Sequence, residues 1–281
     1  MDLVTAETPI LIFDSSFEGW LTCVFTIYEN GWQHTPIVTI QAEHEVVPNF
    51  WQATVTVATD EAKTLRVSDK LARVFGKNGM RQLLWGFLSE SPTVYSHLFG
   101  VVRFQLSNPN LDVWENYTHA DVMAVSKLIK MVGRERHRMQ AFVRFEQMQM
   151  PNTDKTVYFA RVEPDFNVLP ILHQHFKERY ADQTWAIYDV KRGFGIYYAH
   201  DDPSEQVHII CDVDDEALLH PQQFYSKAEQ QYQTLWQKYF THVTIKERLN
   251  RKLHIQYLPK RYWKYLTEKN GLIAGRTLIA R

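Results

Sequence analysis

The spacing of apolar residues changes near the middle of this chain, close to residue 140. Upstream, over residues 60–132, apolar side chains recur every three to four positions, which is typical of amphipathic helices. Downstream, over residues 141–146 and 156–162, they alternate with polar side chains, which indicates half-buried strands. Because helices come first and strands later, the pattern predicts an α+β fold with segregated elements.

The N-terminal region predicts a strand–helix unit. An apolar run at residues 8–13 indicates a short buried strand, and residues 14–16 follow as a turn and helix cap. Apolar residues at helical spacing over 17–28 predict a helix, and residues 53–58 predict a second strand. We therefore expect a strand–helix–strand unit ahead of the helical middle of the chain.

The second half predicts a mostly antiparallel sheet with helices. The two strands at 141–146 and 156–162 form a hairpin across the turn residues 151–154. Further strands are predicted at 184–190, 194–199 and 206–211, and helices at 168–180 and 221–246. We expect the chain to divide into two regions. Residues 1–118 form an α/β and helical region, and residues 119–281 form an α+β region with a basic tail. One compact domain is the alternative.

The C-terminal residues 241–281 hold ten Lys/Arg and two Asp/Glu, although the formal net charge of the whole chain is −1. Aromatic rings are interleaved with these cations in residues 258–266. Cations bind phosphates and flat rings stack on bases, so this combination indicates nucleic acid. The alternatives are that acidic residues 201–216 pair with the tail, and that its rings dock on the core.

Several function classes lose their usual sequence support. The chain lacks the glycine-rich phosphate loops, paired zinc-ligand motifs and serine-nucleophile motif of common enzymes, so we predict no metal and no cofactor. Cys23 and Cys211 lie far apart, and we expect both to be buried thiols. No apolar run is long enough for a membrane span and no signal peptide is evident, which favours a cytoplasmic protein without membrane contact.

A cluster of cations follows the long helix of the middle region. Arg134, Arg138 and Arg144 suit phosphate clamping, because guanidinium groups match phosphate oxygens. The alternative is that these cations satisfy the helix C-terminus while Glu135 pairs with a neighbour. His137 is a candidate for proton transfer, or a histidine placed by structure alone.

Two other segments carry candidate chemistry. Glu163 and Asp165 follow a predicted strand and are candidates for metal binding or acid–base work, or for capping the next helix. The turn at Lys191, Arg192 and Gly193 allows a close approach to a phosphate backbone, or is simply solvated. The full set of predicted nucleic-acid contacts is Arg134, Arg138, Arg144, Lys191, Arg192, Arg251, Lys260, Arg261 and Lys264.

At these same segments the chain resembles the bacterial "probable DNA metabolism protein" family, a domain of unknown function. The matching stretches are residues 13–25, 132–138, 141–145, 162–170, 185–193 and 258–266. The resemblance implies a partner, a radical-SAM protein of DNA modification or repair. It also implies kinship with domains fused to uracil-DNA-glycosylase-type domains. Phe166 stands where relatives carry a histidine after Glu-Pro-Asp, which argues against an acid–base histidine at that position.

The leading hypothesis is a DNA-binding accessory protein in DNA modification or repair that acts with a radical-SAM partner. The first alternative is an enzyme acting on a damaged or modified DNA base through Glu163, Asp165 or His137. The second is a protein–protein interaction module that makes no contact with nucleic acid.

Overall fold

The computed structural model describes residues 8–46, 52–149, 155–211, 213, 220–243 and 251–269. The α+β class is confirmed, with a helical middle followed by a mostly antiparallel five-stranded sheet. The chain divides into two compact units, Met1–Arg134 and Glu135–Arg281. The division at 118/119 stays a prediction.

The first unit begins with a small parallel sheet. Strand β1 (Ile10–Phe13) lies between β2 (Ile40–Ala42) and β3 (Thr54–Thr56). Helix α1 (Phe17–Glu29) begins where Ser16 Oγ accepts a hydrogen bond from the backbone N–H of Gly19, at 2.9 Å. The predicted strand–helix–strand unit is therefore present, and β2 is an additional strand.

Three helices form the rest of the middle region: α2 (Glu61–Phe87), α3 (Val94–Ser107) and α4 (Ala120–Phe142). Helix α2 has a kink at Gly76, where two helical segments meet. Gly76 has φ 63° and ψ −179°, a conformation essentially restricted to glycine. Because the backbone angles of this one residue are not helical, the axis of α2 changes direction there.

The second unit contains a five-stranded sheet in the order β4-β5-β6-β7-β8. The strands are β4 (Glu146–Gln149), β5 (Thr156–Val162), β6 (Trp185–Asp189), β7 (Phe194–Tyr198) and β8 (Val207–Ile210). The pair β5–β6 is parallel because α5 (His173–Arg179) crosses between them, and the other pairs are antiparallel.

The predicted strand at 141–146 is wrong in position. Residues 141–142 still belong to α4, and the strand that pairs with β5 begins only at Glu146. Short apolar runs fit both the helical period of about 3.6 residues and the strand period of two residues. The pattern could therefore not separate the end of a helix from the start of a strand. The predicted connecting turn at 151–154 lies outside the described residues.

Strand β6 is the centre of this unit, and both of its faces are covered. On one face Trp185 lies 6.0 Å from the Phe176 ring of α5 and 5.7 Å from the Tyr198 ring. On the other face Ala186 and Tyr188 form a cluster with neighbouring buried side chains. A strand buried on both faces fixes the positions of the loops at its ends, where the predicted site residues lie.

Two helices and three 3-10 turns follow the sheet in the described part of the chain. A 3-10 turn at Pro221–Phe224 precedes α6 (Lys227–Val243), so the helix predicted over 221–246 begins six residues later, and residues 244–246 lie outside the described residues. Helix α7 (Arg251–Tyr257) leads to 3-10 turns at Lys260–Tyr265 and Thr267–Lys269. The buried-thiol prediction holds for Cys23 and is wrong for Cys211, which is exposed at the end of the edge strand β8.

Candidate functional site

The acidic turn at residues 163–165 follows β5 and binds the basic segment, defined here as residues 258–266. Glu163 Oε1 pairs with Lys264 Nζ and accepts a hydrogen bond from the Tyr265 hydroxyl. Asp165 Oδ2 lies 2.8 Å from Arg261 Nη2. The two carboxylates that the sequence offered for metal binding or acid–base work therefore hold cations of the same chain.

Glu135 of α4 completes this cluster. Its Oε1 accepts a hydrogen bond from the backbone N–H of Asp165 at 2.9 Å, and its Oε2 accepts one from Arg261 Nη2 at 2.9 Å. Arg138 Nη1 lies 3.5 Å from the same Oε2. The carboxylate is 1% exposed, and it joins helix, acidic turn and basic segment at one point. From the sequence we expected Glu135 to form an ion pair only with a neighbouring residue, because no feature of the sequence pattern links residues 135 and 261.

Two members of the cluster, Glu163 and Arg261, have pKa values that are shifted toward the charged form. Burial raises the pKa of Glu163, but hydrogen bonds from Lys264 and Tyr265 outweigh it, so the pKa lies below its ordinary value. Burial lowers the pKa of Arg261, but Glu135 and Asp165 raise it above its usual range. These groups form fixed ion pairs and are not proton carriers poised near pH 7.

The aromatic residues of the basic segment are docked rather than presented to solvent. Tyr262 is buried between the apolar residues Leu258 and Leu266, which are also buried. Burial and the hydrogen bond to Glu135 raise the pKa of Tyr262, and its hydroxyl accepts a hydrogen bond from Arg261 Nη2 at 2.7 Å. Trp263 Nε1 donates to the Leu258 carbonyl at 3.0 Å. These rings therefore dock on the protein, which is the second alternative given for the C-terminal residues.

The turn between β6 and β7 is braced by Arg192. Its Nη1 donates to Asp189 Oδ2 at 2.7 Å and to the Pro164 carbonyl at 3.1 Å, while Nη2 donates to the Asp165 carbonyl at 3.2 Å. Gly193 has φ 70°, which this tight turn requires. Lys191 is exposed and lies close enough to Glu163 to lower its pKa. Arg192 thus has a structural partner set, and Lys191 keeps an accessible charge.

The other predicted contacts lie in different environments. Arg144 Nη2 is 3.7 Å from Glu268 Oε1, and its guanidinium is 5.4 Å from the Trp236 ring centre. His137 and Lys260 are exposed and form no hydrogen bond or ion pair within the described ranges. The helix α7 begins at Arg251, whose side chain lies outside the described part of the structure.

Arg134 belongs to the first unit and lines a shallow groove there. The groove has a volume of about 380 Å³ and is also lined by Lys127, Lys130 and Tyr117. The Lys130 ammonium lies 5.6 Å from the centre of the Tyr117 ring. The assignment of Arg134 to nucleic-acid binding stays a prediction, as do the other assigned contacts.

Sequence reasoning missed a set of exposed rings on the C-terminal helices. Tyr232, Trp236 and Tyr239 of α6 are 62%, 40% and 58% exposed, and Tyr257 of α7 is 67% exposed. Aromatic residues at helical spacing predict a buried face, so the sequence carried no signal for their exposure. These rings lie on the same stretch of chain as exposed lysines.

A family model described as a domain of unknown function, DUF4130, matches residues 92–268, more than half of the chain. The chain belongs to the DUF4130 family. The DUF4130 match spans the whole five-stranded sheet and the cluster formed by Glu135, the acidic turn and the basic segment. It confirms the resemblance at the level of a domain of unknown function, and the link to DNA metabolism stays a hypothesis.

No curated protein and no solved structure matches this DUF4130 chain. Within its described ranges, no three His, Cys, Asp or Glu side chains come together as a metal-binding group. None of the described helices combines the length and the apolar character that crossing a membrane requires.

Proposed function

We propose that this protein is a cytoplasmic DNA-binding accessory protein in DNA modification or repair. The observation that carries the proposal is a set of exposed lysines on the C-terminal helices and turns that pair with no described acid. Residues 227–243 and 251–269 contain eight Lys/Arg and two Asp/Glu. A surface with this imbalance attracts the phosphate backbone.

Both acids in these stretches are already engaged. Glu229 is buried and its Oε2 accepts a hydrogen bond from the backbone N–H of Gln147 at 2.9 Å. Glu268 accepts one from Trp236 Nε1 at 2.9 Å and faces Arg144. Four lysines stay exposed with no hydrogen bond or ion pair to any described residue. They are Lys227, Lys238, Lys252 and Lys260.

The proposal shifts the expected phosphate contacts away from several residues that the sequence favoured. Arg138, Arg192, Arg261 and Lys264 neutralise carboxylates, so a phosphate would have to compete with an existing ion pair. Of the nine predicted contacts, Lys191 and Lys260 in the second unit keep exposed ammonium groups. The carboxylates of the acidic turn have cation partners, and the proposal assigns them no catalytic role.

The test measures how tightly the protein binds a labelled DNA duplex, and one single strand of that duplex, as the salt concentration is raised. The variant Lys227→Ala/Lys238→Ala/Lys252→Ala/Lys260→Ala removes the exposed charges. A matched control, Arg66→Ala/Lys70→Ala/Lys77→Ala/Arg81→Ala, removes the same charge from exposed positions of α2 in the first unit. Each lost phosphate contact should reduce the slope of log K against log salt by about 0.7–0.9. Absence of binding at low salt, or equal effects of both variants, contradicts the proposal.

The accessory role rests on the resemblance, which implies a radical-SAM partner. Co-expression with that partner and purification through one affinity tag tests it, and separate elution at low salt contradicts it. The interaction-module alternative is favoured by the exposed aliphatic residues Leu253 and Ile255 on α7. Leu253→Ser/Ile255→Ser should then abolish co-purification while leaving any DNA binding unchanged.

A further inference from the structure

The ring stripe, defined here as Tyr232, Leu235, Trp236 and Tyr239, is the largest exposed apolar feature of α6. Tyr232, Leu235 and Tyr239 are spaced by three and four residues, so they share one face of the helix. They are 62%, 60% and 58% exposed. Burial of such side chains normally stabilises a helix, so four of them left accessible within eight positions call for a ligand.

The remaining contacts of α6 show that the helix is held by a different face. Glu229 accepts from the backbone of β4, Gln237 Nε2 donates to the Thr267 carbonyl at 3.3 Å, and the Phe240 ring lies 4.4 Å from Lys269 Nζ. Trp236 lies at the boundary, since its Nε1 donates to Glu268 while its ring stacks on Tyr239 at 5.7 Å. The stripe is therefore not required to attach α6.

The surroundings of the stripe are cationic. Lys238 lies three residues after Leu235 on the neighbouring face, and Arg144 lies against the Trp236 ring. The acids of α6 and the following turns are Glu229 and Glu268, and both are engaged on the attached side. Rings with adjacent cations, and with no outward carboxylate on the described residues of α6 and the following turns, match a ligand that combines flat π-faces with negative charge.

We propose that the ring stripe binds unpaired bases of single-stranded nucleic acid, with the neighbouring lysines on its phosphates. This inference rests on the proposed nucleic-acid binding and names its substrate class. Bases in a duplex already stack on each other, so exposed side-chain rings gain contact only with bases that are free. From Tyr232 to Tyr239 the helix rises about 10.5 Å, which accommodates roughly three stacked nucleotides at about 3.4 Å each.

A protein partner is the competing occupant, and the cations beside the stripe disfavour it. Three of its four members are aromatic with a polar hydroxyl or N–H, and two of the rings already stack at 28° to each other. Cations line the stripe, whereas the charged residues of an apolar protein contact are depleted at its centre. Stacked aromatic platforms beside lysines are typical of sequence-tolerant strand binding.

The test compares three probes: a labelled oligothymidylate, an abasic strand of the same length, and a duplex. The variant Tyr232→Ala/Tyr239→Ala removes the two most exposed aromatic rings of the stripe. Tyr232→Phe/Tyr239→Phe keeps both rings, and Leu65→Ala removes an exposed apolar side chain of the first unit. Each lost ring should weaken oligothymidylate binding roughly 5- to 150-fold, while the abasic strand and the duplex are unaffected. The phenylalanine variant should bind as the unchanged protein does.

The outcomes separate this inference from the function on which it rests. If no probe binds at low salt, nucleic-acid binding itself fails. If all three probes bind equally and the alanine variant changes nothing, binding stands and the stripe has no part in it. If the alanine variant instead changes the elution volume in size-exclusion chromatography with unaltered strand binding, the stripe is a contact between copies and the inference is overturned. Unchanged thermal unfolding of each variant excludes misfolding as the cause.

Discussion

Arg261 Nη2 lies 2.9 Å from Glu135 Oε2, across 126 positions of the sequence, and also 2.8 Å from Asp165 Oδ2. One guanidinium therefore joins a buried helix carboxylate and the turn after β5. Removal of one partner from a buried ion pair is costly, because the other charge stays desolvated. This geometry makes Arg261 primarily a structural residue.

Arg261→Met should destabilise the protein by about 2–4 kcal/mol, because the buried Glu135 carboxylate would lose its 2.9 Å charged partner. The free energy of unfolding in urea is the measurement. Lys260→Met is the matched control and should change it by less than about 0.5 kcal/mol, since that side chain is exposed. The double variant Arg261→Met/Glu135→Met should recover much of the loss. A loss below about 1 kcal/mol in Arg261→Met would contradict this account.

The contribution of Glu163 should depend on pH. Its folded pKa lies below the ordinary value of 4.5, so it stabilises the protein at pH values above that value and loses this effect as pH falls through the folded pKa. Glu163→Gln should cost less than about 1 kcal/mol at pH 7, since the pair with Lys264 is partly exposed, and it should cost less at pH 3 than at pH 7. Unfolding in urea at both pH values provides the measurement.

Glu146 supplies a control of opposite sign. Burial raises its pKa despite hydrogen bonds from Tyr225 and Arg161, so its contribution to stability is greatest at low pH and falls as pH rises through the folded pKa. Glu146→Gln should therefore look more damaging at low pH than Glu163→Gln does. Parallel pH profiles for the two variants would show that the assigned shifts are wrong.

The two thiols should react differently. Cys211 is exposed, whereas Cys23 is buried and burial raises its pKa to about 12. A thiol reagent should modify one cysteine per folded chain and two after denaturation. Cys211→Ser should abolish the reaction of the folded protein. Rapid modification of that variant under native conditions would show that Cys23 is accessible.

Gly76→Ala should destabilise the protein by about 1–3 kcal/mol, because φ 63° with ψ −179° is essentially closed to other residues. Space is not the cause, since an added Cβ would contact no atom within 4 Å. Lys77→Ala, at the next exposed position of α2, is the control and should have little effect. Equal thermal unfolding of both variants would mean that α2 straightens at no cost.

The sequence predicted elements better than it predicted their partners. Strands β6, β7 and β8 and helix α3 lie where local periodicity placed them, because their apolar spacing reports burial directly. Strand β2 was missed because three residues carry too little pattern. The candidate site could not be assembled at all: Glu163 and Lys264 are a hundred positions apart, and the exposure of Tyr239 depends on which face of α6 is attached.

The separation of Glu135 and Arg261 along the sequence also means that the two residues are synthesised at different times. At a translation rate of about 5–20 residues per second, Glu135 is made roughly 6–25 s before the arginine that neutralises it. During that interval the carboxylate must stay hydrated, and the helix end that carries it cannot close against the turn after β5. We therefore expect Glu135 and the acidic turn to stay accessible to water until residues 258–266 leave the ribosome, so that folding of this half of the chain is completed from its C-terminal side.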